Sequence, residues 1–181
     1  MATAIAYLFL SWSRLEDSMV MVLHSVLGDN GGRIASAIYY TINNFETRLR
    51  AVSAAVDEHL RLHQPRSAIL IPHWTTFQNA MRRYQSCRNT VAHGKMKQVE
   101  SRKKVHIRIV GPLLDFRAHE ANFKPGQLNG FSINDVQVAH KAMWNTSIKL
   151  DFFGAALRAL RSSEEKELSE ALAQLRADPQ G

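Results

Sequence analysis

Two residues within the stretch SCRNTVAHGKMK, residues 86–97, have side chains suited to chemistry on a phosphate. Arg88 carries a permanent positive charge and can bind an anion through two guanidinium donors at once. The imidazole of His93 can accept or donate a proton near neutral pH. Both residues precede Gly94, where a long apolar helical pattern ends. The pair therefore indicates either catalysis at a phosphate or binding of a polyanion.

The positive charge of the chain is concentrated around these two residues. The formal net charge is +7, and nine basic residues against one acid, Glu100, lie between Arg82 and Arg108. This segment of 27 residues therefore carries +8, and the rest of the chain carries −1. Such a patch favours a polyanionic partner. A solvated basic loop is the alternative that the charge count alone leaves open.

The composition is typical of a globular protein. Apolar residues make up 45% of the 181 positions, enough for a single domain with a substantial core. The one cysteine, Cys87, excludes a disulfide framework and a cysteine-rich zinc site, and it suits a reducing cytoplasm. The apolar run at the N-terminus is too short to span a bilayer and has no basic lead-in. We therefore expect one domain over residues 1–181, cytoplasmic and without membrane association.

Apolar side chains recur about every 3.5 residues along four segments, and this spacing predicts long helices. The predicted helices cover residues 3–27, 45–64, 72–93 and 133–160, with a shorter one near 163–176 and a weakly patterned one at 33–40. Asn44, Pro72 and Gly94 suit a helix cap, a first turn and a C-terminal stop. Short connections favour antiparallel neighbours. The expected fold class is α, an antiparallel bundle of four to five helices.

One segment has a different period. The sequence VHIRIV alternates apolar and polar residues, GP suggests a turn, and LLDFRA alternates again, which predicts a β-hairpin at about 105–118. The hairpin belongs to an insertion over about 96–120, whose role as a substrate rim or a dimer arm stays open. After it, Ser132 and Asp135 have the spacing of a capping box before the last long helix.

Arg88 occupies a position where the helical pattern expects an apolar side chain. The seam of the third long helix runs through Trp74, Phe77, Met81 and Tyr84. The next positions of this seam are 88 and 91. Because position 88 holds arginine, burial there would place a guanidinium in the core, and an unpaired guanidinium is very costly to bury. Arg88 must therefore meet a carboxylate or line a cleft that an anion can enter. Asn89 shares a helix face with His93, one turn later.

Five residues separate Arg88 from His93, so on a regular helix their side chains point about 140° apart. One intact helix cannot easily aim both side chains at one phosphate. Either the last turn unwinds before Gly94, or two copies of the motif meet across a two-fold axis. The second arrangement predicts a site at a homodimer interface.

The motif RNTVAH, at the end of the third long helix of a basic bundle, resembles the Arg-x4-6-His motif of the HEPN superfamily. The resemblance covers roughly residues 3–95 and 132–160. It implies a small, usually dimeric helical bundle. Many members are metal-independent ribonucleases of toxin–antitoxin, phage-defence or RNA-processing systems, and others only bind. Lys95 stands where members modified by a partner nucleotidyltransferase carry tyrosine, which argues against that arrangement.

The resemblance assigns catalytic roles to three residues. It implies that Arg88 holds the phosphate and His93 moves a proton while the RNA 2′-hydroxyl attacks, and that Asn89 orients the phosphate or the imidazole. This chemistry requires no cofactor and no metal. The implied partners are RNA, a second copy of the chain and, for a toxin, an antitoxin or another protein.

Glu16 and Arg48 are candidate supports of this site. Glu16 falls within the apolar half of the first helix, so it needs a partner such as Arg48 or Arg88, unless it lies at the edge with its head in solvent. Six basic residues are candidate contacts for the RNA backbone: Lys95, Lys97, Arg102, Lys103, Lys104 and Arg108. A solvated hairpin explains them equally well. For the whole chain, a non-catalytic module that binds RNA or protein, or a structural helical dimer, is the alternative to a nuclease.

Overall fold

The computed structural model describes residues 2–28, 32–101, 104–110 and 130–177, and this part of the chain is mostly helical. Its elements are α1 (Ala2–Leu27), α2 (Gly32–Thr41), α3 (Phe45–Leu62), a 3₁₀ turn (Arg66–Leu70), α4 (Ile71–His93), β1 (Lys95–Ser101), β2 (Lys104–Val110), α5 (Ile133–Ser162) and α6 (Glu165–Arg176). The predicted α class is confirmed, and each predicted helix is present within about two residues of its expected bounds. In the described ranges, none of the helices is long and apolar enough to cross a membrane.

Side-chain caps set the starts of α3 and α5. Asn44 Oδ1 accepts hydrogen bonds from the backbone N–H groups of Glu46, at 2.8 Å, and Thr47, at 3.3 Å. At α5, Ser132 Oγ accepts from the N–H of Asp135 at 3.1 Å, and Asp135 Oδ2 accepts from the N–H of Ser132 at 2.7 Å. Both predicted caps are confirmed, and each satisfies N–H groups that the helix leaves unpaired.

The chain forms two compact units. The first unit contains Met1–Trp12 and Arg83–Met143, and the second contains Ser13–Arg82 and Trp144–Gly181. Each unit therefore includes part of α1, α4 and α5.

The second unit is a helical bundle with an aromatic centre. Trp74 of α4 stacks on Phe153 of α5 with ring centroids 5.4 Å apart, and Phe77 meets the same ring edge-on at 5.6 Å. Around them, the apolar seams predicted from the sequence are buried: Leu15, Met19, Val22, Leu49, Val52, Val56, Leu60, Leu150, Leu157 and Leu160. Burial of these side chains is the main source of stability of the unit.

Two helices of the second unit run parallel, although the sequence predicted an antiparallel bundle. Arg14 donates to Asp151 at 3.1 Å, and Arg158 donates to the Ser25 hydroxyl at 2.7 Å. Residue numbers therefore rise in the same direction along α1 and α5. The prediction was wrong for this pair of helices.

Helix α2 explains the parallel pair, because it adds one reversal of the chain. Tyr40 near its end donates to Asp17 of α1 at 2.9 Å. Gly32 at its start lies against the His24 ring, which a side chain there would meet at 3.7 Å. Helix α2 therefore runs back along α1, and this weakly patterned segment forms a full helix of the unit.

The first unit contains a two-stranded antiparallel sheet whose pairing differs from the prediction. β1 pairs with β2, with Lys95 opposite Val110 and Lys97 opposite Arg108. VHIRIV is therefore the second strand of the hairpin, and KMKQVES is its partner. The strand predicted at LLDFRA lies outside the described residues. KMKQ was not recognised as strand because it contains no β-branched or aromatic residue.

Contacts at β2 fix the hairpin to the start of α5. Ile109 and Phe131 exchange two backbone hydrogen bonds, both of 2.9 Å. Ile109 is also buried, whereas Met96, directly opposite it on β1, is exposed. The hairpin is therefore held to the rest of the first unit through β2.

Candidate phosphate-binding site at the end of helix α4

Helix α4 ends at His93 because the chain must turn into β1 at Gly94. A Cβ at position 94 would lie 2.8 Å from Ile109 Cγ2 and 2.9 Å from the Val110 carbonyl oxygen, so only glycine lets β2 pass this close. The helix continues through His93. The predicted glycine stop is therefore confirmed, and the last turn is not unwound.

The guanidinium of Arg88 is held between aromatic rings of α1 and a neighbouring amide. Arg88 is half-buried, and its Cζ lies 5.8 Å from the ring centroid of Phe9 and 6.0 Å from that of Trp12. Its Nη1 donates to Asn89 Oδ1 at 3.1 Å. These contacts give the charged group a fixed place at the apolar seam, as the sequence pattern had placed it.

No carboxylate within the described part of the chain pairs with Arg88. Its Nε is buried and makes no hydrogen bond there. Cation–π contacts are worth about 0.5–2 kcal/mol, but they neither neutralise the charge nor satisfy the N–H donors. The site therefore offers a fixed positive charge with unused donors, which suits a phosphate oxygen.

His93 lies on a different side of α4 from Arg88. Because the helix is intact, the five-residue spacing separates the two side chains by about 140° around its axis. His93 is exposed in the last turn, and Asn89 is exposed one turn earlier on the same face. Within one copy, Arg88 and His93 are therefore not directed at one point.

The carboxylate of Glu16 is bound by Arg48, one of the two arginines considered for it. Arg48 Nη1 lies 2.6 Å from Glu16 Oε1, and Arg48 Nε donates to the Ile42 carbonyl at 2.6 Å. Both charged side chains are only 17% exposed. The pair connects α1 to α3 within the second unit. We therefore assign Glu16 and Arg48 a structural role.

Lys95 and Lys97 give β1 a basic face. Both are exposed, and residues that are paired across a hairpin share a face, so these lysines lie on the same face as Arg108. His106 continues this face along β2. The opposite face carries Met96 and other exposed apolar side chains, so the hairpin is amphipathic.

Arg108 anchors the hairpin instead of standing free for an anion. Its side chain is 17% exposed and donates to Asp135 and to the Gly130 carbonyl, both at 3.1 Å. Hydrogen bonds from Ser132, followed by the charge of Arg108, lower the pKa of Asp135. The other predicted RNA contacts lie where no side chain is described: Arg102, Lys103 and Lys104.

The sequence did not reveal a second polar cluster in the first unit. Ser11 Oγ and His140 Nδ1 are 2.5 Å apart, and the imidazole stacks on Tyr7 with ring centroids 5.4 Å apart. Tyr7 and Ser11 are one turn apart on α1 and therefore share a helix face. Because 129 positions separate His140 from Ser11, the sequence carries no local signal that these two side chains meet.

Comparison with protein-family models, with curated proteins and with solved structures gave no match. Similarity therefore does not decide the family of this chain. The resemblance to the HEPN superfamily stays a prediction, based on the motif and its place at the end of α4.

Cys87 precedes Arg88 but is not an activated nucleophile. It is buried, and burial, followed by the charge of Asp135, raises its pKa to about 11. The thiol therefore stays protonated at neutral pH and packs as a small apolar side chain.

No group of three or more possible metal ligands comes together within the ranges that the structure describes.

Proposed function

We propose that this chain is a metal-independent endoribonuclease of HEPN type that acts as a homodimer in the cytoplasm. The observation that supports this most is the guanidinium of Arg88, which lies over two aromatic rings without a carboxylate partner in the described part of the chain. A cation fixed in this way stabilises a phosphate whose negative charge increases in the transition state. A toxin or phage-defence role is implied by the same resemblance.

In the proposed reaction the RNA 2′-hydroxyl attacks the adjacent phosphorus. His93 of one copy takes the proton of that hydroxyl, and the bond from phosphorus to the 5′-oxygen breaks. Protonated His93 of the second copy gives its proton to the leaving oxygen. The products are a 2′,3′-cyclic phosphate and a 5′-hydroxyl. Arg88 binds the non-bridging oxygens, and Asn89 orients its guanidinium.

The intact end of α4 is the reason to propose a dimer. In one copy, Arg88 and His93 point about 140° apart. A two-fold axis between two copies can bring the arginine of one beside the imidazole of the other. Lys95 and Lys97 then extend the basic surface along the RNA backbone.

The experiment compares cleavage of end-labelled single-stranded RNA by the wild type, Arg88→Ala and His93→Ala, each with a metal chelator. Arg50→Ala is the matched control, because it removes an exposed arginine from α3 in the second unit. We expect cleavage by the wild type and by the control only. Cleavage that persists in both site variants, or that needs added metal, contradicts the proposal.

A second candidate is a non-catalytic RNA-binding module. The separation of Arg88 and His93 in one copy favours it, because in a monomer the imidazole of His93 does not point toward the cationic site. It predicts salt-dependent retention of RNA by the wild type, weaker retention by Arg88→Ala, and no products from either protein. Analysis of the RNA after binding separates the two candidates.

A further inference from the structure

A pocket of about 420 Å³ opens between the first turns of α1 and α5 in the first unit. Sites for small molecules usually have volumes of about 300–1,000 Å³. Its chemistry comes from the Tyr7 ring, the amides of Asn134 and Gln137, the His140 imidazole and the Lys141 amine. Among the described residues that line it, none is acidic. The pocket therefore suits an anionic ligand with a planar polar part.

His140 is fixed within this pocket on two sides. Its Nδ1 is hydrogen-bonded to the buried hydroxyl of Ser11, and its ring stacks on Tyr7 at an angle of 24°. Its Nε2 makes no hydrogen bond within the described part of the chain. Ser11 is thus a positioning residue, and the second imidazole nitrogen is left for a ligand.

Lys141 supplies the positive charge of the pocket. The side chain is exposed and forms no ion pair with the residues that the structure describes. In addition, the first turns of α1 and α5 both line the pocket, and helix N-termini carry partial positive charge. A phosphate is the anion that these donors suit best.

The pocket is separate from the Arg88 site. Tyr7 lines the pocket and Phe9 lies under Arg88, and two residues correspond to about 200° around α1. The two sites therefore use different faces of the same helix.

We infer that this pocket binds a nucleoside 5′-monophosphate unit, either as a free nucleotide or as the end of an RNA strand. Lys141 and His140 bind the phosphate, Tyr7 packs against the base, and the amides of Asn134 and Gln137 pair with the base edge. The inference does not rest on Arg88 or His93, so it holds or fails independently of the proposed nuclease activity.

The test is isothermal titration calorimetry at low salt with AMP, adenosine and inorganic phosphate as probes. We expect AMP to bind at least about ten-fold more tightly than either fragment, because base and phosphate are both held. Lys141→Ala and Tyr7→Ala should each weaken AMP binding by about ten-fold, in line with loss of a phosphate cation or of a stacking ring. Both side chains are exposed, so neither substitution opens the core, and circular dichroism checks the fold.

One control isolates the pocket. Lys166→Ala removes the same charge from α6 in the second unit and should leave AMP binding unchanged. Competition with a 5′-phosphorylated 2′-O-methyl trinucleotide distinguishes the sources: displacement of AMP assigns the strand end, and no displacement assigns the free nucleotide. The inference is overturned if AMP fails to bind at millimolar concentration, if phosphate or adenosine binds as tightly, or if the two pocket variants bind like the wild type.

Discussion

Arg48 and Arg88 have similar aromatic surroundings and differ in what else binds them. Each guanidinium lies over two aromatic rings, at 5.2–6.0 Å from the ring centroids. Arg48 also binds the Glu16 carboxylate and a backbone carbonyl, whereas within the described ranges Arg88 hydrogen-bonds only to the amide oxygen of Asn89. Contacts with aromatic rings can thus fix the position of a cation without determining which anion binds to it. For Arg48 the chain itself supplies the anion, and we propose that RNA supplies it for Arg88.

The largest expected effect is the loss of RNA cleavage in Arg88→Ala. We expect a decrease of about 10²–10³-fold in the cleavage rate, because a fixed donor to the transition-state charge is removed. The rate is measured with saturating labelled RNA. Arg88→Lys keeps the charge but not the paired donors, and it should recover only part of the rate. A Lys variant as active as the wild type would show that charge alone is sufficient.

Arg48→Ala should lower the stability of the protein and leave the rate of RNA cleavage unchanged. It leaves the carboxylate of Glu16 largely buried without a partner, and we expect a loss of about 2–3 kcal/mol in the free energy of unfolding. Urea denaturation measures this loss, and the cleavage rate per folded molecule should not change. A double variant, Arg48→Met with Glu16→Leu, should be more stable than Arg48→Ala, because both charges of the pair are then replaced by apolar side chains. Loss of cleavage in the folded double variant would contradict the structural role of the pair.

Ser132→Ala should have a smaller effect, confined to the start of α5. Loss of the cap costs about 1 kcal/mol of unfolding free energy at neutral pH. Ser132 lowers the pKa of Asp135 in the folded chain, so the carboxylate form is stabilised and its contribution is lost on protonation. The difference between the wild type and the variant should therefore shrink as the pH falls below the usual aspartate pKa of about 3.9. A difference that grows toward acid pH would contradict this assignment.

The smallest predicted effect is that of Lys97→Ala on RNA affinity. Loss of one phosphate contact should weaken binding a few-fold and reduce the slope of log K against log salt by about 0.7. Fluorescence anisotropy with labelled RNA over a salt series measures both quantities. Lys166→Ala, on α6, should leave the slope unchanged. Equal slopes for the wild type and Lys97→Ala would remove this lysine from the RNA interface.

The sequence was informative where structure depends on local spacing. The helix bounds, the caps at Asn44 and Ser132 and the stop at Gly94 follow from side chains within one or two turns, and all were predicted. Arg88 was also placed at an apolar seam position by periodicity alone. These features need no knowledge of distant parts of the chain.

The sequence was uninformative where the structure depends on distant residues or weak patterns. The parallel direction of α1 and α5 requires α2, whose apolar pattern is weak. Asp135 accepts a hydrogen bond from the guanidinium of Arg108, which lies 27 positions earlier in the sequence. Ser11 is hydrogen-bonded to His140, which lies 129 positions later. Such contacts leave no periodic signal, so neither the hairpin anchor nor the pocket could be predicted.

The most direct test of the central claim follows the Nε–H resonances of Arg88 and Arg48 by NMR during titration with 2′-O-methyl RNA, which cannot be cleaved. Arg48→Met and Arg88→Lys variants assign the two signals. We expect the Arg88 resonance to shift and saturate with the bound fraction of RNA, while the Arg48 resonance stays unchanged. An Arg88 resonance that does not move when the protein is saturated with RNA would contradict the claim that its guanidinium receives the phosphate.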